Sequence, residues 1–332
     1  MRVIVDAFGG DNAPAEIVKG CVLAVRDNLC EICLVGKENE VKNELQKYDY
    51  PKEKISVYNA DEVIGGCEVP TAAIRKKNSS MVVGLELLKN GEGDAFLTAG
   101  NTGAYLAAAF RFLGRIKGVK RPALTTFMPT KDGSCIVLDV GANADCKPEF
   151  LKQFAVMGSV YAENVLGIKN PSIGLINIGA EESKGNELTK AAYLLLKEEK
   201  NINFIGNIEA RDVMSGAADV VVCDGFTGNI VLKTTEGVAM TVYGMIKNVF
   251  MKNAVTKLAA MLVKGGIKEF KKKMDYTEYG GAPLLGIDGV AIKAHGSSNA
   301  KAIYSAVKSA IKFYETDVND KILKKIVEEN IN

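Results

Sequence analysis

The sequence predicts an α/β fold built on a mostly parallel sheet with helices on both faces. Short apolar runs rich in Val and Ile alternate along the chain with longer segments whose apolar residues recur at helical spacing. Such alternation is typical of parallel strands joined by crossover helices. No repeat, low-complexity segment or linker interrupts the 332 residues, so we expect a single domain over residues 1–332.

The predicted elements follow one another closely. In the first third of the chain we predict strands at 3–5, 32–35, 55–58 and 95–98, and helices at 14–27, 38–46, 82–88 and 102–113. Farther on we predict a strand pair at 124–128 and 135–140, strands at 173–176, 220–223 and 289–294, and helices at 149–166, 186–198 and 299–314. Helical spacing also runs from about 229 to 274, with a break expected at Gly265 and Gly266.

Composition excludes several classes of protein. The net charge is +2, from 42 basic and 40 acidic residues, and gives no reason to expect a nucleic-acid partner. The seven Cys are odd in number and irregularly spaced, which fits a reducing cytosol and no disulfide framework. We find no signal-peptide pattern and no run of 18 apolar residues, so a cytoplasmic location is expected. With one His and no compact acidic motif, we expect no metal and no other cofactor.

Glycine-rich stretches follow the strand signals. Glycine lets backbone N–H groups approach an anion closely, and a following helix N-terminus adds positive potential. The pattern matches neither a Walker A motif nor a Rossmann fingerprint, which favours a small anion over a nucleotide. Together the stretches predict a shared phosphate or carbonyl site at the carboxyl ends of the strands. They lie at 6–14, 98–103, 139–149, 177–185, 223–229 and 279–286, the last leading to His295.

These stretches, in this order, resemble the signature segments of the phosphate acyltransferase family known as PlsX. The segments read DAFGGDNAP, AGNTGA, DVGANADCKPE, NIGAEESKG, CDGFTGN and YGGAPLLG…HGSS, and they cover nearly the whole chain. The chain departs from the family at Phe8, where Met is more frequent. The resemblance implies a three-layer α/β/α sandwich of the isocitrate dehydrogenase and phosphotransacetylase fold group, and a homodimer.

The same resemblance implies the reaction. A fatty acyl group passes from acyl carrier protein to inorganic phosphate, and the acyl phosphate feeds the first acylation of glycerol 3-phosphate in phospholipid synthesis. A downstream glycerol-3-phosphate acyltransferase is then a further candidate partner. Phosphate is already a nucleophile near neutral pH and a thiolate is a tolerable leaving group, so positioning and electrostatics should carry the catalysis.

Three residues are the predicted catalytic groups. His295, the single histidine, follows a strand signal and is expected to polarise the carbonyl or protonate the leaving sulfur. Lys184 lies between a strand and a helix, where a lysine reaches a phosphate as a point charge, and Asn229 offers an amide donor. Lys147 and Lys233 are similar candidates, and acidic loop residues are expected to organise backbone donors. The predicted substrate site comprises Asp6, Gly9, Gly10, Asp11, Asn101, Thr102, Gly103, Asn143, Lys147, Gly179, Asp224, Gly225 and Thr227.

A basic amphipathic helical hairpin is predicted at about 240–275. Residues 247–274 contain eight Lys and one Glu. Leu258, Leu262 and Val263 fall on one helical stripe, with Lys257 and Lys264 on another face. We expect this hairpin to protrude and to contact the inner face of the membrane peripherally. The alternatives are a stripe that packs on the body or on a dimer partner, and lysines that hold an acidic carrier protein. Arg111, Arg115, Lys117, Lys120 and Arg121 could also hold that carrier.

Two other functions remain open from the sequence. One is a short-chain phosphate acetyl- or butyryltransferase that uses acyl-CoA, against which the hairpin argues because a small product needs no membrane. The other is a non-catalytic carrier-binding or membrane scaffold, against which the number of Gly, Asn and Asp loops at strand ends argues.

Overall fold

The computed structural model describes residues 1–274 and 280–329. Its strands form one 11-stranded sheet in the order β3-β2-β1-β4-β11-β10-β5-β6-β9-β7-β8. The strands are β1 (Arg2–Asp6), β2 (Glu31–Gly36), β3 (Ile55–Asn59), β4 (Ala95–Thr98), β5 (Ala123–Thr130), β6 (Gly133–Leu138), β7 (Ser172–Asn177), β8 (Asn203–Glu209), β9 (Val220–Val222), β10 (Ala282–Leu285) and β11 (Ala291–Lys293).

The helices lie between these strands in the predicted alternating order. The sixth helix continues into a π-helical turn at Ala162–Leu166. The helices are α1 (Ala15–Arg26), α2 (Glu38–Leu45), α3 (Ala72–Arg75), α4 (Ser80–Lys89), α5 (Thr102–Phe112), α6 (Pro148–Tyr161), α7 (Glu187–Glu198), α8 (Gly225–Phe250), α9 (Ala254–Met274), α10 (Ala300–Glu315) and α11 (Val318–Glu329).

The sheet consists of two parallel halves that run in opposite directions. Strands β3, β2, β1, β4 and β11 are parallel to one another, and so are β6, β9, β7 and β8. Between the halves, β10 is antiparallel to both β11 and β5, and β5 is antiparallel to β6. Three successive reversals leave the second half inverted relative to the first. The sequence had led us to expect the carboxyl ends of all strands at one edge of the sheet. That expectation is wrong, because the two halves run in opposite directions.

The two sets of strand ends nevertheless meet at the joint between the halves. Strand β10 has only four residues. Its first residue, Ala282, pairs with Lys293 at the end of β11, and its last, Leu285, pairs with Ala123 at the start of β5. Two residues farther on, Thr125 pairs with Leu138 at the end of β6. The carboxyl ends of β11 and β6 thus face each other across the two strands β10 and β5.

Two apolar cores cover the two faces of the sheet. Successive strand residues point to opposite faces, so Val3 and Val5 of β1 join one core whereas Ile4 joins the other. Helices α1, α6, α10 and α11 contribute to the first core, and α4 and α5 to the second. This arrangement confirms the predicted α/β sandwich with a mostly parallel sheet.

The helical hairpin forms, but its turn is misplaced in the sequence prediction. Helix α9 runs through Gly265 and Gly266 without a break, and the chain turns at 251–253 instead. Asn253 caps α9, because its Oδ1 accepts from Thr256 N–H at 2.9 Å and its own N–H donates to Thr256 Oγ1 at 3.0 Å. A cap of this kind fixes a helix start, whereas an isolated Gly only weakens a helix interior by about 1 kcal/mol.

The predicted apolar stripe of the hairpin is exposed in the single chain. Val255, Leu258, Met261 and Leu262 are between 58% and 83% exposed, and Val263 is 44% exposed. Lys257 and Lys264 line, with Met261, a groove of about 310 Å³ between α8 and α9. In residues 1–274 and 280–329, no helix is both long enough and apolar enough to cross a membrane.

Some predicted features lie outside the described residues. Tyr279, the first residue of the sixth glycine-rich stretch, is among them. The predictions for residues 1–332 as one domain also extend past these limits, although the sheet is continuous through the part of the chain that the structure describes.

Candidate active site

Asp6 organises the loops at the end of β1 and β4. Its Oδ2 accepts from Thr98 Oγ1 at 2.7 Å, and its Oδ1 accepts from Phe8 N–H at 3.2 Å. Burial raises the pKa of this carboxyl, and these hydrogen bonds oppose the rise. A Cβ on Gly9 would lie 2.7 Å from Asp6 Oδ2, Gly100 N and Thr98 Oγ1, so a side chain at Gly9 has no room. Asp6 and Gly9 thus shape the loop walls.

The first glycine loop is joined to the loop that carries His295. Asp11 N–H donates to Gly296 O at 2.8 Å, and Asn12 Nδ2 donates to Ser297 O at 3.2 Å. Gly10 has a φ of +103°, and a Cβ there would lie 2.9 Å from Gly296 O. These contacts hold the ends of β1 and β11 together across the strand between them.

Asn101 and the start of α5 lie at the end of β4, beside the loops that follow β1 and β11. Asn101 Oδ1 caps the helix by accepting from Ala104 N–H at 2.9 Å. Its Nδ2 donates to Gly66 O at 2.7 Å and to Glu68 O at 2.9 Å, so this amide fixes a neighbouring loop. Gly103 packs under that loop, because a Cβ there would lie 2.8 Å from Pro70 Cγ.

Asp139 plays the organising role in the second half of the sheet. Its buried carboxylate accepts from the backbone N–H of Leu124, Gly141, Ala142 and Asn143 at 2.6–3.2 Å, and from Asn143 Nδ2 at 2.8 Å. Burial raises the pKa of Asp139, and these bonds oppose the rise.

The first turn of α8 is fixed on this loop. Gly225 N–H donates to Asn143 O at 2.8 Å, and a Cβ on Gly228 would lie 1.9 Å from Asp139 O. Asp224 caps α8, because its Oδ1 accepts from Thr227 N–H at 2.9 Å and its Oδ2 accepts from Thr227 Oγ1 at 2.7 Å. Asn143, Asp224, Gly225 and Thr227 therefore position α8, and any contact of theirs with substrate stays a prediction.

The loop with Lys184 is built separately, at the end of β7. Asn177 Nδ2 donates to Lys184 O at 3.2 Å, and Lys184 N–H donates to Glu181 O at 3.1 Å. Neither Lys184 nor Gly179 lines the cavity that contains His295. Lys147 does not line that cavity either, because it lines a different groove beside α6. The predicted roles of these three residues are not supported by proximity to His295 within one chain.

A cavity of about 130 Å³ lies at the joint between the two halves of the sheet. Three predicted residues line it, namely Thr102, Asn229 and His295, and so does the candidate Lys233. Its remaining polar side chains, Thr126, Lys293, Ser298 and Glu236, were not predicted. Its apolar wall includes Leu124, Phe127, Val140 and Leu232.

Lys293 is the most informative residue that the sequence analysis missed. It ends β11, is only 7% exposed, and donates from Nζ to Ala294 O. Burial is the main cause that lowers its pKa to about 8; Lys233 acts in the same direction, and Asp6 and Asp11 oppose the fall. The available signal was a charged residue in the otherwise apolar strand run Val290–Ala294, written VAIKA.

His295 and Lys233 complete the polar side of the cavity. Ser297 N–H donates to His295 Nδ1 at 3.2 Å, and Ser297 Oγ lies 2.8 Å from the same nitrogen. Because a backbone N–H only donates, Nδ1 is the acceptor and the proton of the neutral ring is on Nε2. Burial first, and Lys233 second, lower the pKa of His295. Lys233 Nζ is paired with Glu236 Oε2 at 2.8 Å.

Within the described ranges, no group of three or more His, Cys, Asp and Glu side chains is placed to hold a metal ion. The cavity instead gathers two lysines, one neutral histidine, an amide and three hydroxyls, together with the carboxylate of Glu236, which is paired with Lys233. Such a set suits an anion and a carbonyl oxygen, both of which accept hydrogen bonds.

The fold is that of the phosphotransacetylases. A phosphotransacetylase from Streptococcus pyogenes superposes with a TM-score of 0.66 over 95% of this chain and 94% of that chain, at 16% identity. A branched-chain phosphotransacylase from Enterococcus faecalis gives a TM-score of 0.58 over 95% of this chain and 100% of that chain, at 12% identity.

Sequence similarity is much more specific. The family described as fatty acid synthesis protein matches residues 1–321. A phosphate acyltransferase from Alkaliphilus oremlandii is 54% identical over 97% of this chain and 96% of its own length. Another from Clostridium novyi is 52% identical over the full length of both. The chain belongs to this family, the PlsX phosphate acyltransferases, and is an acyltransferase.

Proposed function

We propose that this acyltransferase moves a fatty acyl group from acyl carrier protein to inorganic phosphate within the 130 Å³ cavity. The observation that carries the proposal is the convergence of Lys233, Lys293 and His295 on one small space. Two cationic side chains beside a neutral imidazole match a bound phosphate next to a thioester carbonyl. The curated relatives are named for the same acceptor.

The reaction needs no strong base. One phosphate oxygen attacks the thioester carbonyl carbon, and the carbonyl π electrons move to its oxygen. When this tetrahedral intermediate collapses, the C–S bond breaks and the sulfur leaves with the electron pair as a thiolate. The products are an acyl phosphate and the free thiol of the donor after protonation. The second pKa of inorganic phosphate lies near neutrality, and that of a phosphate monoester is about 6, so a substantial fraction of the phosphate is dianionic near pH 7.

Each cavity residue has a distinct role in this scheme. The ammonium groups of Lys293 and Lys233 hold phosphate oxygens, and the surrounding burial strengthens that attraction. His295 donates from Nε2 to the oxyanion of the intermediate or to the leaving sulfur. Asn229, in the first turn of α8, donates its amide to the same substrate atoms. Lys184, which lies apart from this cavity, would need a partner subunit or a movement of its loop to take part.

The long-chain product and the membrane belong to the same proposal. The exposed Leu258 and Leu262 and the groove lysines of the hairpin support peripheral contact with an anionic lipid surface. A fatty acyl phosphate released there would feed the acylation of glycerol 3-phosphate by a downstream acyltransferase. An acetyl- or butyryl-CoA substrate would give a small product for which such a surface has no use.

Incubation of the pure protein with long-chain acyl carrier protein tests the proposal directly. We expect free carrier thiol to appear only when phosphate is present, together with an acyl phosphate that hydroxylamine traps as a hydroxamate. Matched reactions with acyl-CoA and without phosphate are the controls. Thiol release at the same rate without phosphate, or from acyl-CoA alone, would contradict the proposed donor and acceptor.

A further inference from the structure

A second cavity, a basic groove, lies beside the start of α6. It measures about 650 Å³ and is lined by Arg115, Lys120, Arg121 and Lys147, with the rings of Phe110 and Phe150. One carboxylate, Glu149, is also in its lining. The four basic residues are exposed, so their charges face solvent at the groove.

Most of this positive charge is unneutralised. In the described part of the chain, Lys120, Arg121 and Lys147 make no ion pair with a carboxylate. Arg115 is held in place, since its Nη1 donates to Lys120 O at 2.5 Å and its guanidinium lies 5.4 Å from the centre of the Phe110 ring. Such a set of unpaired cations attracts an acidic partner and speeds its encounter.

The groove lies close to the candidate active site. Arg121 lines the groove, and Leu124, three residues on, lines the cavity that contains His295. Three residues span at most about 11 Å. The loop that follows β6 makes the same link, with Val140 in the cavity and Lys147 in the groove.

Hydrogen bonds hold these two connecting segments against each other. Asn143 Nδ2 donates to Pro122 O at 2.7 Å, and Val140 N–H donates to Leu124 O at 3.0 Å. The groove and the cavity therefore keep a fixed separation. A thioester on a flexible prosthetic arm could reach from one to the other.

We propose that the groove formed by Arg115, Lys120, Arg121 and Lys147 is the docking surface for the acidic carrier protein that delivers the acyl thioester. The inference rests on the proposed function and adds the place where the donor binds. The carrier's carboxylates meet the basic side chains, while its acylated arm enters the cavity beside Leu124 and Val140. The groove acts on substrate binding and not on the chemical step.

An anionic membrane fits this groove less well than a protein does. The groove is concave, and its apolar lining is two aromatic rings, one of them beneath Arg115. The exposed aliphatic side chains that a lipid surface would bury lie on α9, at Val255, Leu258 and Leu262. We therefore assign the carrier protein to the basic groove and the anionic membrane to the exposed stripe of α9.

The double charge reversal Lys120→Glu with Arg121→Glu tests the docking surface. We expect the KM for acyl carrier protein to rise about tenfold, since exposed ion pairs are individually weak and two positive charges of the groove become negative. The kcat at saturation, and kcat/KM for the same acyl group on pantetheine, should stay at the wild-type values. Raised salt should increase the wild-type KM for the carrier and change that of the variant much less.

A matched variant, Lys19→Glu with Lys131→Glu, changes the net charge equally at exposed sites outside the groove. It should leave the KM for the carrier unchanged, and thermal unfolding of both variants should match the wild type. If folding suffers, the single change Arg121→Gln should still raise the KM for the carrier by about threefold.

Three outcomes would overturn the inference. One is an unchanged KM for the carrier in the groove variant, with a raised KM in Lys257→Glu with Lys264→Glu, which would move docking to the hairpin. Another is an equal loss with carrier and pantetheine substrates, which would make the groove a support of the cavity. The third is a groove variant that loses vesicle binding but keeps the wild-type kcat and the wild-type KM for the carrier. If wild-type protein shows no phosphate-dependent activity on the carrier substrate, the proposed function itself fails and the docking inference fails with it.

Discussion

At the scale of single residues, burial decides which basic groups can act as tunable cations. Lys293 and Lys184 are both lysines in or after strands, yet one lies in a buried cavity and the other in a separate loop. Removing water lowers the pKa of Lys293 to about 8, so this ammonium can lose its proton just above neutral pH. In the sequence, Lys184 is distinguished by its glycine-rich surroundings, whereas Lys293 lies in an apolar strand run outside the glycine-rich stretches.

The pH dependence of the reaction should report Lys293. If its ammonium holds phosphate, kcat/KM should fall as the pH rises through about 8, because the group then loses its proton. Lys293→Arg should keep its charge and shift this fall to higher pH, at lower overall activity. Lys293→Met should lose most activity and remove the fall altogether. A wild-type pH profile that Lys293→Met leaves unchanged would exclude this role.

His295→Ala should reduce kcat about a hundredfold. This corresponds to a rise of about 3 kcal/mol in the activation barrier, as for other lost donors at a developing oxyanion. His295→Gln, which keeps an amide donor, should recover part of that loss. Lys184→Ala was predicted from the sequence to lower turnover too, but the geometry of one chain leads us to expect a smaller effect. The measurement is steady-state kinetics on acyl carrier protein, with circular dichroism as the folding control. Equal losses at both positions would indicate that the Lys184 loop reaches the cavity in the active enzyme.

At the scale of elements, helix caps and close glycine contacts position the site. The Asp224 cap and the contact of Gly228 with Asp139 fix the start of α8, and α8 then carries Asn229 and Lys233 into the cavity. The same helix continues to Phe250 and pairs with α9 in the hairpin. One element thus joins the proposed phosphate site to the proposed membrane surface.

The exposed stripe on α9 should bind anionic vesicles reversibly. Fully burying a large aliphatic side chain contributes roughly 1.5 to 3 kcal/mol, and each lysine near an anionic surface adds about 1 kcal/mol. We expect Leu258→Glu with Leu262→Glu to abolish vesicle flotation and to leave turnover of carrier-bound substrate largely intact. High salt should weaken wild-type binding only in part, because the apolar share is not screened. Aggregation or loss of turnover in this variant would instead support packing of the stripe within a dimer.

At the scale of the whole molecule, two inverted half-sheets meet and form the site at their joint. Neither half contains the full set, because Thr102, Lys293 and His295 come from one side and Asn229 and Lys233 from the other. Two large apolar side chains are exposed beyond the ends of β7 and β9. Ile178 is 80% exposed and Phe226 is 64% exposed, and both follow the ends of these neighbouring strands. Exposed apolar side chains that lie side by side form surfaces typical of interaction sites.

We propose that this surface pairs two copies of the chain. Sedimentation should then give a mass twice the 35.6 kDa of one chain. Ile178→Lys with Phe226→Lys should shift the protein toward the monomer, because two buried charges would oppose association. Vesicle binding should weaken as well, since a dimer presents two hairpins. A wild-type protein that sediments as a monomer at every concentration would refute the pairing.

The sequence by itself determined the alternation of strands and helices, the sandwich class, the family and the loops that shape the site. These features depend on local periodicity, on glycine and capping residues, and on motifs contiguous in the chain. Residues close together in the sequence are therefore enough to predict them. Tertiary structure alone decided the inversion of the half-sheets, the burial of Lys293, the separation of Lys184 from the cavity and the proximity of the groove to the cavity. Each of these depends on which strands pair and how far water is excluded. Residues distant in sequence set both quantities, as the pairing of Ala282 with Lys293 and of Leu285 with Ala123 shows.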